Sequence, residues 1–249
     1  MAKKVVFLSA GHGGTDPGAV AYGMKEKDIN LRIMLSCRDE LERHGLKVIC
    51  SRIKDENDPV NSEVKEANAS KANIAVSFHT NGGKGDGSET YYYSKSEEGK
   101  KLAELCEKHT KAIGQNSRGV KSGNHLHFIS GTNMVAVLCE CAFIDNDKDN
   151  NIIDTAAEQK KFGVSYAKAI LEYFGIKYKA VTTSTKKYFA RYNGTSGSIV
   201  SALNSLKITS TFAYRTKIAK ANGIKDYSGT SSQNTKLLNR LKQGKLIKP

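Results

Sequence analysis

Short apolar runs recur through the first two thirds of the chain, separated by stretches with helical spacing. Val5-Val6-Phe7-Leu8 runs into Gly11-His12-Gly13-Gly14, and Ile74-Ala75-Val76-Ser77-Phe78 runs into His79-Thr80-Asn81-Gly82. Val135 to Ile144 is the most apolar segment. Compact β-rich runs that end in Gly or Asn are the pattern of strands buried on both faces. Strands are expected near residues 4–9, 47–51, 73–78, 88–93 and 135–141, with a further one near 125–129. Between them, the spacing of apolar residues predicts helices near 26–43, 60–71, 96–113 and 156–174. In the first of these Leu31, Met34, Leu35 and Leu41 share one side and Gly45 caps the end. Alternation of strand and helix predicts an α/β fold, a three-layer domain with a largely parallel twisted sheet. The alternating run Ser88-Glu89-Thr90-Tyr91-Tyr92-Tyr93 places Glu89 toward solvent.

This pattern stops where the charge changes. Residues 177–249 hold 15 of the 39 Lys and Arg but one of the 25 acidic residues, Asp226, leaving 24 of each sign in residues 1–176. The cysteines stop there too. So sharp a break marks a domain boundary. We expect a domain over 1–176, a linker over 177–187 and a basic module over 188–249. The module repeats itself at an offset of 35 residues: Tyr192-Asn193-Gly194-Thr195-Ser196 returns as Tyr227-Ser228-Gly229-Thr230-Ser231, and eight of 16 positions agree between 192–207 and 227–242. Each copy reads as a Gly turn, a Ser or Thr cap and a short helix with leucines inward, giving a small, mainly helical pseudo-repeat with halves near 192–226 and 227–249. Ile218 to Asn222 reads as a further helix ending at Gly223.

Four residues of the first domain carry candidate chemistry. His12 and His79 each follow a buried strand, and in open α/β sheets functional groups gather beyond the carboxyl ends of strands. Glu26 opens a helix between them. Each also has an ordinary explanation, the histidines as loop residues and Glu26 as a partner of the helix dipole. Glu140 lies inside the apolar run Val135–Ile144, where a carboxylate is costly unless paired or set beside a metal. Either an Arg or Lys across the sheet, or a role as general base beside an activated water, explains it.

These residues sit in an ordered set of motifs. Gly11-His12-Gly13-Gly14-Thr15-Asp16-Pro17-Gly18-Ala19 resembles the opening motif of the zinc-dependent N-acetylmuramoyl-L-alanine amidases of the amidase-3 type. Glu26-Lys27-Asp28-Ile29-Asn30-Leu31 is similar to their second motif, Ala67-Asn68 with Ser77 to Asn81 to their third, and Ala136 to Glu140 with Phe143 to Asn146 to their last. The likeness spans about residues 4 to 174. Where the family often has an Arg shortly before the Ala-Asn pair, this chain has Glu63-Val64-Lys65-Glu66. The resemblance implies that His12, Glu26 and His79 bind Zn²⁺ with a fourth position left to water. It implies Glu140 as the base, and hydrolysis of the bond between N-acetylmuramic acid and L-alanine in peptidoglycan. Asn81 and Arg118 follow as substrate contacts. It further implies a wall-lytic enzyme such as a phage endolysin of a Gram-positive host, with a host autolysin, a zinc peptidase of the stem peptide and a non-catalytic wall-binding protein as rivals.

The rest of the sequence refines this picture. The basic module resembles the wall-binding modules of phage lysins and is expected to bind anionic wall polymers. It carries no recognised nucleic-acid signature, so no nucleic-acid partner is expected. No apolar run reaches the roughly 18 residues of a membrane span, and Met1-Ala2-Lys3-Lys4 lacks the apolar core of a secretory signal. The expectation is synthesis in the cytoplasm, no membrane insertion, and action on the wall after release. The five cysteines (Cys37, Cys50, Cys106, Cys139 and Cys141) read as buried free thiols. Asp145 to Asn150 imitates a calcium loop, but Asn150 and Ala156 stand where that loop needs Gly and Glu, so it reads as a polar lead-in to a helix. His125 and His127 are expected on one face of the strand near 125–129.

Overall fold

A computed structural model describes residues 3–180 and 187–249. The chain divides into two compact units, residues 1–179 and 180–249. Part of the expected linker, 181–186, lies outside the described residues.

The first unit has the elements β1 (Val5–Ala10), β2 (Val20–Ala21), β3 (Met24–Lys25), α1 (Glu26–Arg43), β4 (Lys47–Cys50), α2 (Val60–Ser70), β5 (Ile74–Asn81), β6 (Ser88–Tyr92), α3 (Glu97–Lys111), β7 (Ser117–Ser122), α4 (His127–Gly131), β8 (Val135–Phe143), α5 (Asp147–Asn150) and α6 (Ala156–Tyr173). Six strands form one sheet in the order β4-β1-β5-β8-β6-β7. All neighbours are parallel except β6 and β8.

Alternation along the central strands builds two cores. Val6 and Leu8 of β1, Val76 and Phe78 of β5, and Val137 and Cys139 of β8 face a layer formed by α1, α3 and α6. The intervening Phe7, Ala75 and Leu138 face α2 and α4. Helices cover both faces, which makes the unit three-layered. His79 and Glu140 have the parity of Ala75 and Leu138 and stand on the α2/α4 side. The unit ends later than residue 176: Tyr178 stacks on His44 with ring centroids 5.1 Å apart, and the Lys179 amide donates to His44 Nε2 at 2.8 Å.

One expectation fails locally. There is no strand at 125–129. Leu126 bonds back to Gly123 in a turn and α4 follows, because Phe128 and Ile129 are consecutive and both buried. A strand would turn one of them outward. The edge strand beside β6 is β7, whose sequence Ser117-Arg118-Gly119-Val120-Lys121-Ser122 has one large apolar residue, as an exposed edge strand allows.

The second unit contains α7 (Ile199–Ser205), α8 (Phe212–Ala221) and α9 (Ser231–Lys242). Leu203 in α7, Ile218 in α8, and Leu237, Leu238 and Leu241 in α9 form its core. Its two ends pair, with Phe189 donating to the Leu246 carbonyl and Lys248 to that of Lys187. The repeat is inexact. Thr230 caps α9 in a capping box with Gln233, but the first copy is capped by Ser198 rather than Thr195, shortening α7. Of the aromatic side chains of this unit, Phe189, Tyr192 and Tyr227 belong to the core, while Tyr188 and Phe212 are exposed.

Candidate functional site

The carboxyl ends of β1 and β5 and the start of α1 meet at one point. The β2–β3 hairpin returns the chain so that Glu26 begins α1, and its amide donates to the Ala19 carbonyl. The Glu26 carboxylate is buried and fixed by three further donors: the Ala19 amide to Oε2 at 2.9 Å, and the Thr80 amide at 3.0 Å and Asn30 Nδ2 at 3.2 Å to Oε1. Two ring nitrogens approach the same Oε1, His12 Nε2 at 3.2 Å and His79 Nδ1 at 3.1 Å. The imidazoles lie edge to face with centroids 5.2 Å apart.

The glycines of the first motif make room for this contact. A Cβ on Gly11 would lie 2.1 Å from the His79 ring, and one on Gly18 would lie 2.6 Å from Glu26 Oε2. His12 itself has a left-handed backbone, φ 66°, which bulky residues avoid and which aims its ring at Glu26. Asp16 Oδ2 holds His12 Nδ1 at 2.8 Å and leaves Nε2 toward the centre. Buried Lys27 bonds Asp55 and the Gly14 carbonyl, and buried Arg52 bonds the carbonyls of Ala10 and Lys27. These contacts fix the loop.

Charge follows geometry. Hydrogen bonding to Glu26 lifts His12 to about 9 against the opposing effect of burial. Although burial alone would raise it, Glu26 is held far below the usual carboxylate range by both imidazoles. Among the described residues, these three side chains are the group able to hold a metal ion, their ligand atoms lying within 4.8 Å of one another.

Glu140 on β8 is the register partner of His79 on β5. Its Oε2 is buried and has no hydrogen-bond partner among the described residues, and none of these supplies the Arg or Lys that would have explained it. Burial pushes its carboxyl up to about 7; His79 opposes this, and Glu26 and Glu89 add to it. A carboxyl group tuned near neutrality beside a candidate metal centre has the properties of a general base.

Glu89 corrects the solvent-facing expectation. It is 3 % exposed and pairs in register with Glu140. Strand β6 is interior to the sheet, so its alternation separates two covered faces rather than core from water: Ser88 and Thr90 bond Glu107 on the α3 side. Glu89 accepts from Asn81 Nδ2 at 3.2 Å, Tyr91 Oη at 2.7 Å and Arg118 Nε at 2.7 Å, and also pairs with Lys121. Asn81 and Arg118 are therefore brought together on a carboxylate one strand from Glu140. No simple signal in the sequence marked Glu89, because its neighbours alternate as they would in a half-exposed strand.

Other candidates have other roles. Asp145 accepts from the amides of Gly83 and Lys84, and Asp149 from those of Gly87 and Phe143, so the calcium-like stretch braces loops ahead of α5 and α6. The five cysteines are free thiols, and Cys139 and Cys141 point to the face opposite Glu140. His127 lines the cavity next to the His12–His79 pair, and His125 packs against Tyr91.

The model of the family Amidase_3, N-acetylmuramoyl-L-alanine amidase, matches residues 6–172. The chain belongs to this family. Its reaction is hydrolysis of the amide bond between N-acetylmuramic acid and L-alanine in peptidoglycan. The amidase is 35% identical over 195 residues to an endolysin of Bacillus phage SPP1, covering 74% of this chain and 71% of that protein. It is 31% identical over 176 residues to a sporulation-specific N-acetylmuramoyl-L-alanine amidase of Bacillus subtilis (strain 168), covering 69% of each. Among solved structures it resembles the catalytic domain of CwlV, an N-acetylmuramoyl-L-alanine amidase from Bacillus (Paenibacillus) polymyxa var. colistinus, at 34% identity and a TM-score of 0.65, covering 70% of this chain and 99% of that one.

Proposed function

We propose that the amidase works with a zinc ion held by His12, Glu26 and His79 and with Glu140 as its general base. The convergence of His12 Nε2 and His79 Nδ1 on one oxygen of Glu26, beside the unpaired oxygen of Glu140, carries this reading. Ligands about 2.0–2.1 Å from a tetrahedral ion stand roughly 3.3 Å apart, and the two nitrogens lie 3.2 and 3.1 Å from that oxygen. Two imidazoles and one carboxylate are also a donor set that zinc accepts while keeping a position open. When bound, zinc supplies Lewis acidity, which acidifies water and polarises the scissile carbonyl. Asp16 fixes the His12 tautomer so that Nε2 stays a ligand. Ala19, Asn30 and Thr80 hold the Glu26 carboxylate in place. Glu140 takes a proton from the attacking water and gives it to the departing L-alanine nitrogen. Asn81 and Arg118 contact the substrate beside it, positioned by Glu89.

The same reading extends to the second unit. It binds anionic wall polymers and keeps the hydrolase on its insoluble substrate, as in a phage endolysin that lyses a Gram-positive host. The charge split of the sequence and the likeness to the SPP1 endolysin support this. The likeness to the sporulation amidase supports the alternative of a host autolysin. Removal of residues 180–249 is expected to lower retention on purified walls about 10-fold or more in a sedimentation assay, while cleavage of soluble muropeptides stays within about 2-fold. Equal retention of the shortened chain, or binding of the module to DNA but not to walls at physiological salt, would remove the anchoring role.

A further inference from the structure

One cluster of acidic side chains beside the site has no part in the chemistry above. On the α2 side, the sheet face opens into a cavity of about 450 Å³, with His12 and His79 on one wall, Asp58 and Glu63 on another, and Phe128 and Leu138 as apolar lining. Asp58 is 8 % exposed, and its Oδ2 has no hydrogen-bond partner among the described residues. Glu63, in the first turn of α2, is 3 % exposed. Burial pushes both carboxyls above the usual range, Glu63 to about 7. Among the described residues, no Lys or Arg lines the cavity. Arg52, which acts on Asp58 from a distance, spends its donors on the carbonyls of Ala10, Lys27 and Lys54.

The chemistry of this cavity selects its occupant. An anion meets the carboxyl groups of Asp16, Asp58 and Glu63, and the positive charge on the wall, at His12 and His79, belongs to the centre itself. An apolar group leaves Asp58 Oδ2 buried and unpaired, at the cost of an unmade hydrogen bond. A primary ammonium brings three N–H donors and the opposite charge, and its alkyl stem suits the apolar lining. We propose that this cavity is a subsite for a primary ammonium group of the peptidoglycan substrate, with Asp58 and Glu63 as its acceptors. The subsite rests on the amidase reading, because His12 and His79 form the wall between it and the scissile bond. Two parts of the substrate can supply the group: the side-chain amine of a diamino residue in the stem peptide, or a glucosamine whose amine is free.

Three soluble substrates test this with the zinc-loaded full chain. The first is an N-acetylmuramoyl tripeptide ending in a diamino residue with its side-chain amine free. The second has that amine acetylated. The third keeps it acetylated and adds a glucosamine with a free amine. The free-amine peptide is expected to show kcat/KM about 10- to 100-fold above its acetylated form, chiefly through KM, and Asp58→Asn and Glu63→Gln should each narrow that ratio to within about 3-fold. Recovery of the rate by the third substrate assigns the ammonium to the glycan arm and upholds the subsite. Equal kcat/KM for all three substrates, or a ratio unchanged in both variants, overturns it. Cleavage of none of them overturns the amidase reading instead.

Discussion

Replacing Glu140 by Gln is expected to slow hydrolysis of soluble muropeptides about 10²- to 10⁴-fold while the chain still binds one zinc ion. The amide side chain fills the same space on β8 but cannot take the proton. Metal content and cleavage rate, measured on the same preparation, separate loss of the base from loss of the centre. The pH profile follows from the same group. Glu140 acts as a base only when ionised, so in the wild type kcat/KM should fall as pH drops through its pKa. That value is about 7 before metal binds, and a nearby cation moves it lower. The sign of the stability effect is opposite to that of most paired carboxylates. Because the folded-state value lies above the ordinary 4.5, the native state carries the cost of the buried charge above pH 7 and is relieved of it toward pH 5. Metal-free Glu140→Gln should therefore be more stable than the wild type at pH 8, on the order of 1–3 kcal/mol, with the difference fading by pH 5. A variant that keeps full turnover with one zinc bound would remove Glu140 from the reaction.

Replacing Glu26 by Gln is expected to weaken zinc binding about 100-fold or more. Apparent binding energies of roughly 10–16 kcal/mol shared among four ligands come to about 3 kcal/mol each. The substitution also removes the carboxylate that both imidazoles face and that lifts His12 to about 9. Competition with a chelator measures the loss directly. The wild type adds a pH signature. His12 must be neutral to act as a ligand, and without metal it is protonated below about pH 9. Zinc must displace that proton, so affinity should rise about 10-fold per pH unit between 7 and 8. Affinity independent of pH, or unchanged by Glu26→Gln, would place the metal elsewhere.

Much of this site was legible in the sequence, because buried parallel strands announce themselves as apolar runs and functional residues collect beyond their carboxyl ends. His12 and His79 could be placed in that way, Glu140 as a carboxylate inside an apolar strand, and Glu26 by its position at a helix start. The structure adds what periodicity does not carry: two histidine nitrogens meet a single oxygen, and Gly11 is required because the His79 ring lies against it. Glu89 escaped notice because β6 is covered on both faces, so that polar Ser88 and Thr90 point into the protein as much as Glu89 does. The edge strand β7 gives no such signal because it has little to bury, and α4 reads as a strand in the sequence because only burial shows that Phe128 and Ile129 are both turned inward. Asp58 and Glu63 lie in a loop and on a helix remote in sequence from the ligands. The shape of the cavity brings them to the site.

The proposed centre is a single metal held by His12, Glu26 and His79, with Glu140 beside it. Its most direct test is to count the amino termini released from purified peptidoglycan by the metal-stripped chain as zinc is added. We expect L-alanine amino termini to appear in proportion to zinc and to level off at one equivalent per chain, with no new reducing sugars. Full release by the stripped chain, a rise that continues to a second equivalent, or the appearance of reducing ends in place of L-alanine termini would contradict it.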